Sequence, residues 1–417
     1  MKKVIFLLAI WLVFVSCQKD ESNPPSKPLA SFDWNWDARV PDSYLRPILD
    51  PILYKNWVIL AYTESVDFIE DGPTLIAYDK RTGYVAWQYT HLKQNNMNLK
   101  NWRISGDHIL LKYSDQLVCL HAETRAVIWE TLFSPDDNIG NDMQIYDDYL
   151  YQEQGYMDHP SAFPFSDSVS LVRYHIATGQ AEKIYGERTK EGTDQYPELL
   201  PPVIYQDGQR ELAIFQRYIS YAKDTWPIDM VAVDIQTKEV VWRDTSYSPD
   251  WGSRSTPPRI LDGNVIAASD HAIYSWNATT GKQNWRRPLF TGADKISFTG
   301  TGPFIHDGKI FVFEFGGHAY CLNPQTGLTL WETFTHFPKE YGPAYGACLQ
   351  PIIVDDIILV NAGSYRKLVA IDARNGKVMK EWDDATYNGT NVLYDAETET
   401  CFVLADEKLR ALQVKRL

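Results

Sequence analysis

One unit recurs along this chain: an apolar strand, a short turn closing on Thr-Gly, and a second strand that carries tryptophan. Such repetition constrains the fold more than any single residue. A unit that cannot bury its own apolar face must stack on copies of itself. The clearest copies are LIAYDKRTGYVAW (75–87), IYSWNATTGKQNW (273–285) and AYCLNPQTGLTLW (319–331). Indexed on the Asp-like position, the copies fall at Asp79, His121, His175, Asp234, Asn277, Asn323 and Asp372, with Gln413 in a partial last copy. The steps are 42, 54, 59, 43, 46, 49 and 41 residues.

The turn has a physical logic. An Asp or Asn side chain bonds the backbone just after it, and glycine reaches positive φ at little steric cost. Gly83, Gly179, Gly281, Gly327 and Gly376 keep the glycine, whereas Arg125 and Lys238 replace it. His121 and His175 stand where other copies have Asp or Asn, so a turn role explains them first. Tryptophan falls eight residues after the index at Trp87, Trp129, Trp242, Trp285 and Trp331. In two copies an aromatic comes at ten, Tyr185 and Trp382, which a strand period of two keeps on the same face. These rings are read as packing between neighbouring sheets rather than as ligand contacts.

Two more strands precede each copy, joined by tight turns such as Asp207-Gly208, Asp262-Gly263 and Asp307-Gly308. Asp-Gly between apolar runs is a strong hairpin signal. Each unit is therefore four antiparallel strands, the blade of a propeller. Seven full units run from about residue 47 to 382, and residues 391–417 supply three strands without an outer one. The segment SFDWNW (31–36) has the character to provide it, with Trp34 and Trp36 expected to share a face. The sequence thus predicts an all-β fold: an eight-bladed β-propeller of four-stranded antiparallel blades, its ring closed by an N-terminal strand.

The motif of a small apolar residue, Asp or Asn, two residues, Thr-Gly, three residues and Trp resembles the repeat of the pyrroloquinoline-quinone-type propellers. That family holds eight-bladed enzymes and non-catalytic relatives, among them the propeller lipoprotein of the outer-membrane β-barrel assembly machinery. The resemblance spans nearly all of the chain after its N-terminal segment, and it implies either a quinone-dependent dehydrogenase or a scaffold. The family's enzymes use calcium, an Asp base and often a pair of adjacent cysteines. No Cys-Cys pair exists here, and no segment aligns with their base or metal ligands, so no catalytic residue, cofactor or metal is assigned.

The first residues read as a processing segment. Lys2 and Lys3 precede twelve apolar residues, 4–15. As a helix these would rise only about 18 Å, short of the roughly 30 Å hydrocarbon core of a bilayer. The run closes on Ser16-Cys17, which resembles the lipobox of bacterial lipoproteins and implies cleavage before an acylated Cys17. Residues 1–16 are then a signal peptide, 17–30 a lipidated, proline-containing flexible tether, and 31–417 a single propeller. Multiple acyl chains give stable anchoring. Gln18-Lys19-Asp20-Glu21 looks like a signal for export to the outer face of the outer membrane, which favours the cell surface over the periplasmic face.

The formal charge of −14 argues against nucleic acid and against an anionic lipid surface as direct partners, since both need a basic face. Cys119, Cys321, Cys348 and Cys401 sit singly in apolar or alternating contexts and read as buried thiols. The expected function is that of a monomeric, non-catalytic envelope scaffold for an outer-membrane or surface protein, with surface glycan binding as the alternative. The longest connections fall on one face, after the second and fourth strands. Their aromatics and one arginine are the predicted partner contacts: Tyr156, Phe163, Tyr221, Trp226, Trp251, Arg254, Tyr341 and Tyr345.

Overall fold

A computed structural model of the chain describes residues 31–39, 49–61, 75–90, 99–113, 115–133, 137–156, 168–188, 195–208, 210–221, 228–248, 257–268, 272–288, 302–313, 318–334, 351–361, 367–383, 391–405 and 408–415. Every regular element among them is a strand, and the strands form eight antiparallel sheets arranged as the blades of a ring. Blade 1 is typical, with β2 (Ile52–Tyr54), β3 (Trp57–Ala61), β4 (Leu75–Asp79) and β5 (Val85–Tyr89) paired in sequence order. The two middle strands are buried on both faces, which is why they read as unbroken apolar runs, while β5 is largely exposed. Eight hydrophobic clusters fill the ring, one in each gap between adjacent blades.

The index residue acts as the turn chemistry requires. Asp79 Oδ1 accepts the backbone N–H of Arg81 at 3.0 Å and of Thr82 at 2.9 Å, and Asn277 and Asn323 bind their own Thr-Gly turns in the same way. His121 substitutes its ring, Nδ1 accepting the N–H of Glu123 at 3.2 Å. The glycine at the end of the turn has a further reason to be glycine. A Cβ on Gly83, Gly179, Gly281, Gly327 or Gly376 would lie 2.5–2.7 Å from the indole of Trp36, Trp129, Trp242, Trp285 or Trp331, which belongs to the preceding blade. Each of the last four indoles also donates Nε1–H to a backbone carbonyl of the next blade, those of Ile176, Ala278, Pro324 and Ala373, at 2.7–2.9 Å. The repeated tryptophan is thus a dock onto the neighbouring turn.

Strand β1 (Ser31–Arg39) closes the ring by pairing antiparallel with β33 (Lys408–Lys415), so the last blade draws its outer strand from the opposite end of the chain. A bulge at Asn35 modifies the expected placement of the two tryptophans: Trp34 pairs with Leu412, and Trp36 with the adjacent Ala411. An extra residue on one strand re-aims the side chains beyond it. Trp34 consequently packs in the cluster toward blade 7, under the Arg410 guanidinium at 3.9 Å, while Trp36 alone docks on blade 1 at Gly83. Buried Lys80 reinforces the seam by pairing with Asp395 at 3.0 Å and Glu397 at 2.7 Å across it. At the centre, the carboxylate of Asp50 accepts both the backbone and side-chain N–H of Asn391, and its carbonyl accepts Trp102 Nε1–H, tying blades 8, 1 and 2.

Blade 4 departs from four strands. Its inner edge is split into β14 (Gln195–Leu199) and β15 (Val203–Asp207), both pairing with β16 (Arg210–Tyr221). Pro201 and Pro202 lie at the break, where they can give no ladder hydrogen bond.

Two outcomes are expected. Deleting residues 31–38 exposes a sheet edge together with the surfaces covered by Phe32, Trp34 and Trp36, and should destabilise the ring by several kcal/mol in denaturant melts; deleting 18–28 should leave the midpoint unchanged. Gly327→Ala should cost distinctly more than Gly308→Ala. Both glycines have positive φ, 69° and 63°, but only the first has an indole against it. Equal melting losses for the two variants would mean that the tryptophan dock carries no stability.

Candidate binding face and interior polar sites

The two faces of the ring differ. One carries short hairpin turns; the other carries the connections that leave the second and fourth strands. On this second face the blades are uneven in height. The second strands of blades 1, 5, 6 and 7 end four residues from the index level, at Ala61, Ala268, Phe313 and Asn361. In blade 3, β11 (Tyr149–Tyr156) continues to a pair with Ser168, and in blade 4, β16 continues to Tyr221 opposite Gln195. Three or more additional residues raise these two blades by about 10 Å into a lip. Of the predicted contact residues, Tyr156 and Tyr221 end these two long strands, on adjacent blades and the same face. Tyr156 and Tyr221, expected in connections, therefore belong to strands. Phe163, Trp226, Trp251, Arg254, Tyr341, Tyr345 and the lipidation candidate Cys17 lie outside the described residues.

Beneath the lip the core turns polar. At these levels most other second strands bury Val, Ile, Leu, Ala and Phe, with Asn361 of blade 7 the exception, but blades 2 to 4 bury Lys112, Gln152, Gln216 and Arg217 and half-bury Glu153. In the gap between blades 3 and 4, Arg217 grips both carboxylate oxygens of Glu187, at 2.6 Å from Nε, and reaches Asp229 at 2.9 Å from Nη1. Tyr185 donates its hydroxyl to Glu187 at 2.8 Å, and Arg243 lies 3.6 Å from both carboxylates. Burial opposes ionisation of both acids. The Arg217 hydrogen bonds outweigh it at Glu187, whose pKa falls, but not at Asp229, whose pKa rises. Burial, then the Glu187 charge, pushes Tyr185 up to about 12.

This network stands where the tryptophan dock is missing: Lys183 occupies the tryptophan position of blade 3, and Lys238 the glycine position of blade 4. At the other replaced glycine, Arg125 extends its guanidinium over Trp87, 5.3 Å from the ring, and Trp87 Nε1 finds no acceptor.

Glu153 faces the same gap as Arg217. Burial, then the neighbouring Glu198 charge, pushes its pKa up to about 8, against an N–H donated by Leu199 and the Lys112 charge. Reading the sequence for turns and tryptophans misses this polar layer, although QEQ at 152–154 and QR at 216–217 interrupt otherwise apolar second strands. Among the described residues, no three of His, Cys, Asp and Glu come together as a metal site. Cys119, Cys321 and Cys401 are free, buried and in three different blades, and burial raises all three thiols.

A family model described as outer membrane protein assembly factor BamB matches residues 215–413, from the second strand of blade 4 to the third strand of blade 8. The chain is an eight-bladed β-propeller, and over residues 215–413 its sequence is similar to that family. Solved structures with the same fold include BamB from Moraxella catarrhalis, at 14% identity and a TM-score of 0.57, covering 92% of this chain and 100% of that one. A quinohemoprotein alcohol dehydrogenase, ADHIIG from Pseudomonas putida HK5, aligns at 12% identity and a TM-score of 0.61, covering 92% of this chain and 76% of that one. The computationally designed Ika8 protein aligns at 12% and 0.59, over 90% and 98%. At these identities the likeness is one of fold. No curated protein sequence matches the chain.

The raised pKa of Glu153 makes stability depend on pH with a definite sign. A carboxyl whose pKa is about 8 when folded, against an ordinary value of 4.5, stabilises the fold fully below pH 4.5. That contribution is lost progressively as pH rises to about 8. Glu153→Gln cannot ionise, so its urea midpoint should gain on the parent between pH 5 and pH 8. Parallel pH profiles would show that Glu153 titrates normally.

Proposed function

We propose that this chain is a lipid-anchored protein of the outer membrane whose propeller is a non-catalytic scaffold for binding or assembling other envelope proteins. In this reading residues 1–16 are a signal peptide, Cys17 is the acylated terminus, 17–30 are a tether, and 31–417 form the scaffold. The observation that carries it is the lip of blades 3 and 4, an extra height of paired backbone on the face where the long connections emerge. Likeness over the full length of BamB, and a family model named for outer membrane protein assembly, support a partner that is a protein. Tyr156 and Tyr221 on the lip, with Phe163, Trp226, Trp251, Arg254, Tyr341 and Tyr345 in the connections, are the proposed contacts. Large aromatics and Arg are the usual anchors of such interfaces.

Cys17→Ala should move the protein from the membrane fraction to the soluble fraction of cell extracts. With a tag after Leu417, protease shaving of intact cells then reports the side on which the anchored propeller lies. Loss of the tag supports the surface placement that Lys19, Asp20 and Glu21 suggest; protection supports a periplasmic assembly role. Crosslinking from position 156 or 221 should capture an envelope protein. Capture of none, with surface glycan retained on the purified protein instead, would overturn the protein-scaffold reading.

A further inference from the structure

Lys112 and Gln152 enter one gap between blades from opposite sides. Leu110 of blade 2 and Leu150 of blade 3 both belong to the cluster that fills this gap, and the residue two places along each strand faces the same way. Lys112 on β7 (His108–Tyr113) and Gln152 on β11 therefore point toward each other's blade. Both are closed off from solvent, at 1% and 0% exposure. Lys112 Nζ, Gln152 Nε2 and Gln152 Oε1 have no hydrogen-bond partner. Native interiors satisfy nearly all such atoms, and a lone buried ammonium is among the most costly groups to leave unpaired.

The neighbouring charges do not resolve the deficit. Arg103 turns its Nε to the Met143 carbonyl at 3.1 Å and Nη1 to Asn101 and the Trp102 carbonyl. Asp142 and Glu153 attract Lys112 electrostatically, but neither reaches it with a hydrogen bond; Asp142 is exposed, and Glu153 lies on the opposite face of β11. The gap thus presents two sets of donors and one acceptor with no group among the described residues to meet them.

We propose that the gap between blades 2 and 3 is a binding site for a small monovalent anion, held by Lys112 Nζ and Gln152 Nε2, with one accompanying water that donates to Gln152 Oε1. The anion neutralises the buried ammonium and satisfies both donors. Burial lowers the Lys112 pKa to about 8, so the ammonium that attracts the anion is lost above that pH and the affinity should fall there. The site is independent of the scaffold reading.

Bromide is the probe. Crystals of the mature protein grown in sodium bromide should show an anomalous peak in hydrogen-bond range of Lys112 Nζ and Gln152 Nε2. In solution at constant ionic strength, replacing glutamate with bromide should raise the melting temperature by about 2–4 °C at a hundredfold excess over Kd. The rise should shrink between pH 7 and pH 9.5. Lys112→Met and Gln152→Leu should each weaken bromide binding at least about tenfold while keeping the fold, since an apolar replacement removes an unpaired group. Water alone at the site in the parent crystals, or a bromide effect equal in parent and both variants, would overturn the proposal.

Discussion

The ring depends on one repeated contact, an indole laid against a glycine of the next blade. A Cβ at that glycine would occupy the space of the indole, and in four gaps the indole also satisfies a turn carbonyl. The contact fixes the distance and tilt between neighbouring sheets, because a flat ring can meet a turn closely only where no side chain intervenes. The eight apolar clusters supply most of the burial; the dock decides how the blades are spaced while that burial occurs.

Between blades 3 and 4 both halves of the contact are missing together. Blade 3 lacks the tryptophan, and the next blade's turn lacks the glycine. Arg217, Glu187, Asp229 and Arg243 join those blades instead. Such a network is a weaker source of net stability than an apolar gap, since desolvation offsets much of the attraction, but removing one member leaves a buried charge unpaired. The fold therefore concentrates polar groups in blades 2 to 4, beneath its tallest strands. A bidentate Arg–carboxylate pair ties these tall strands together with defined geometry.

Ring closure obeys the same economy of edges. Without β1, the eighth blade would end on an unpaired β33, and Gly83 would have no indole. Pairing the two ends of the chain in one sheet also makes every blade depend on both termini. The bulge at Asn35 lets a single short strand face two ways, Trp34 toward blade 7 and Trp36 toward blade 1.

Much of the architecture was legible in the amino-acid order alone. Turn residues act locally, so Asp79, Asn277 and their Thr-Gly partners announce the hairpins, and the spacing of tryptophans counts the blades. The missing outer strand and its N-terminal donor emerge from that count. The tertiary structure alone decided everything that depends on which blades face each other. Period-two logic could not foresee a bulge between Trp34 and Trp36, because a bulge is set by the partner strand. Nor could it show that Lys183 and Lys238 are linked absences, or that Lys112 and Gln152 share one gap. Residues of consecutive repeats meet there only because neighbouring blades stack face to face. The periodic signal of a strand states which face a residue takes; only packing of the blades determines what that face meets.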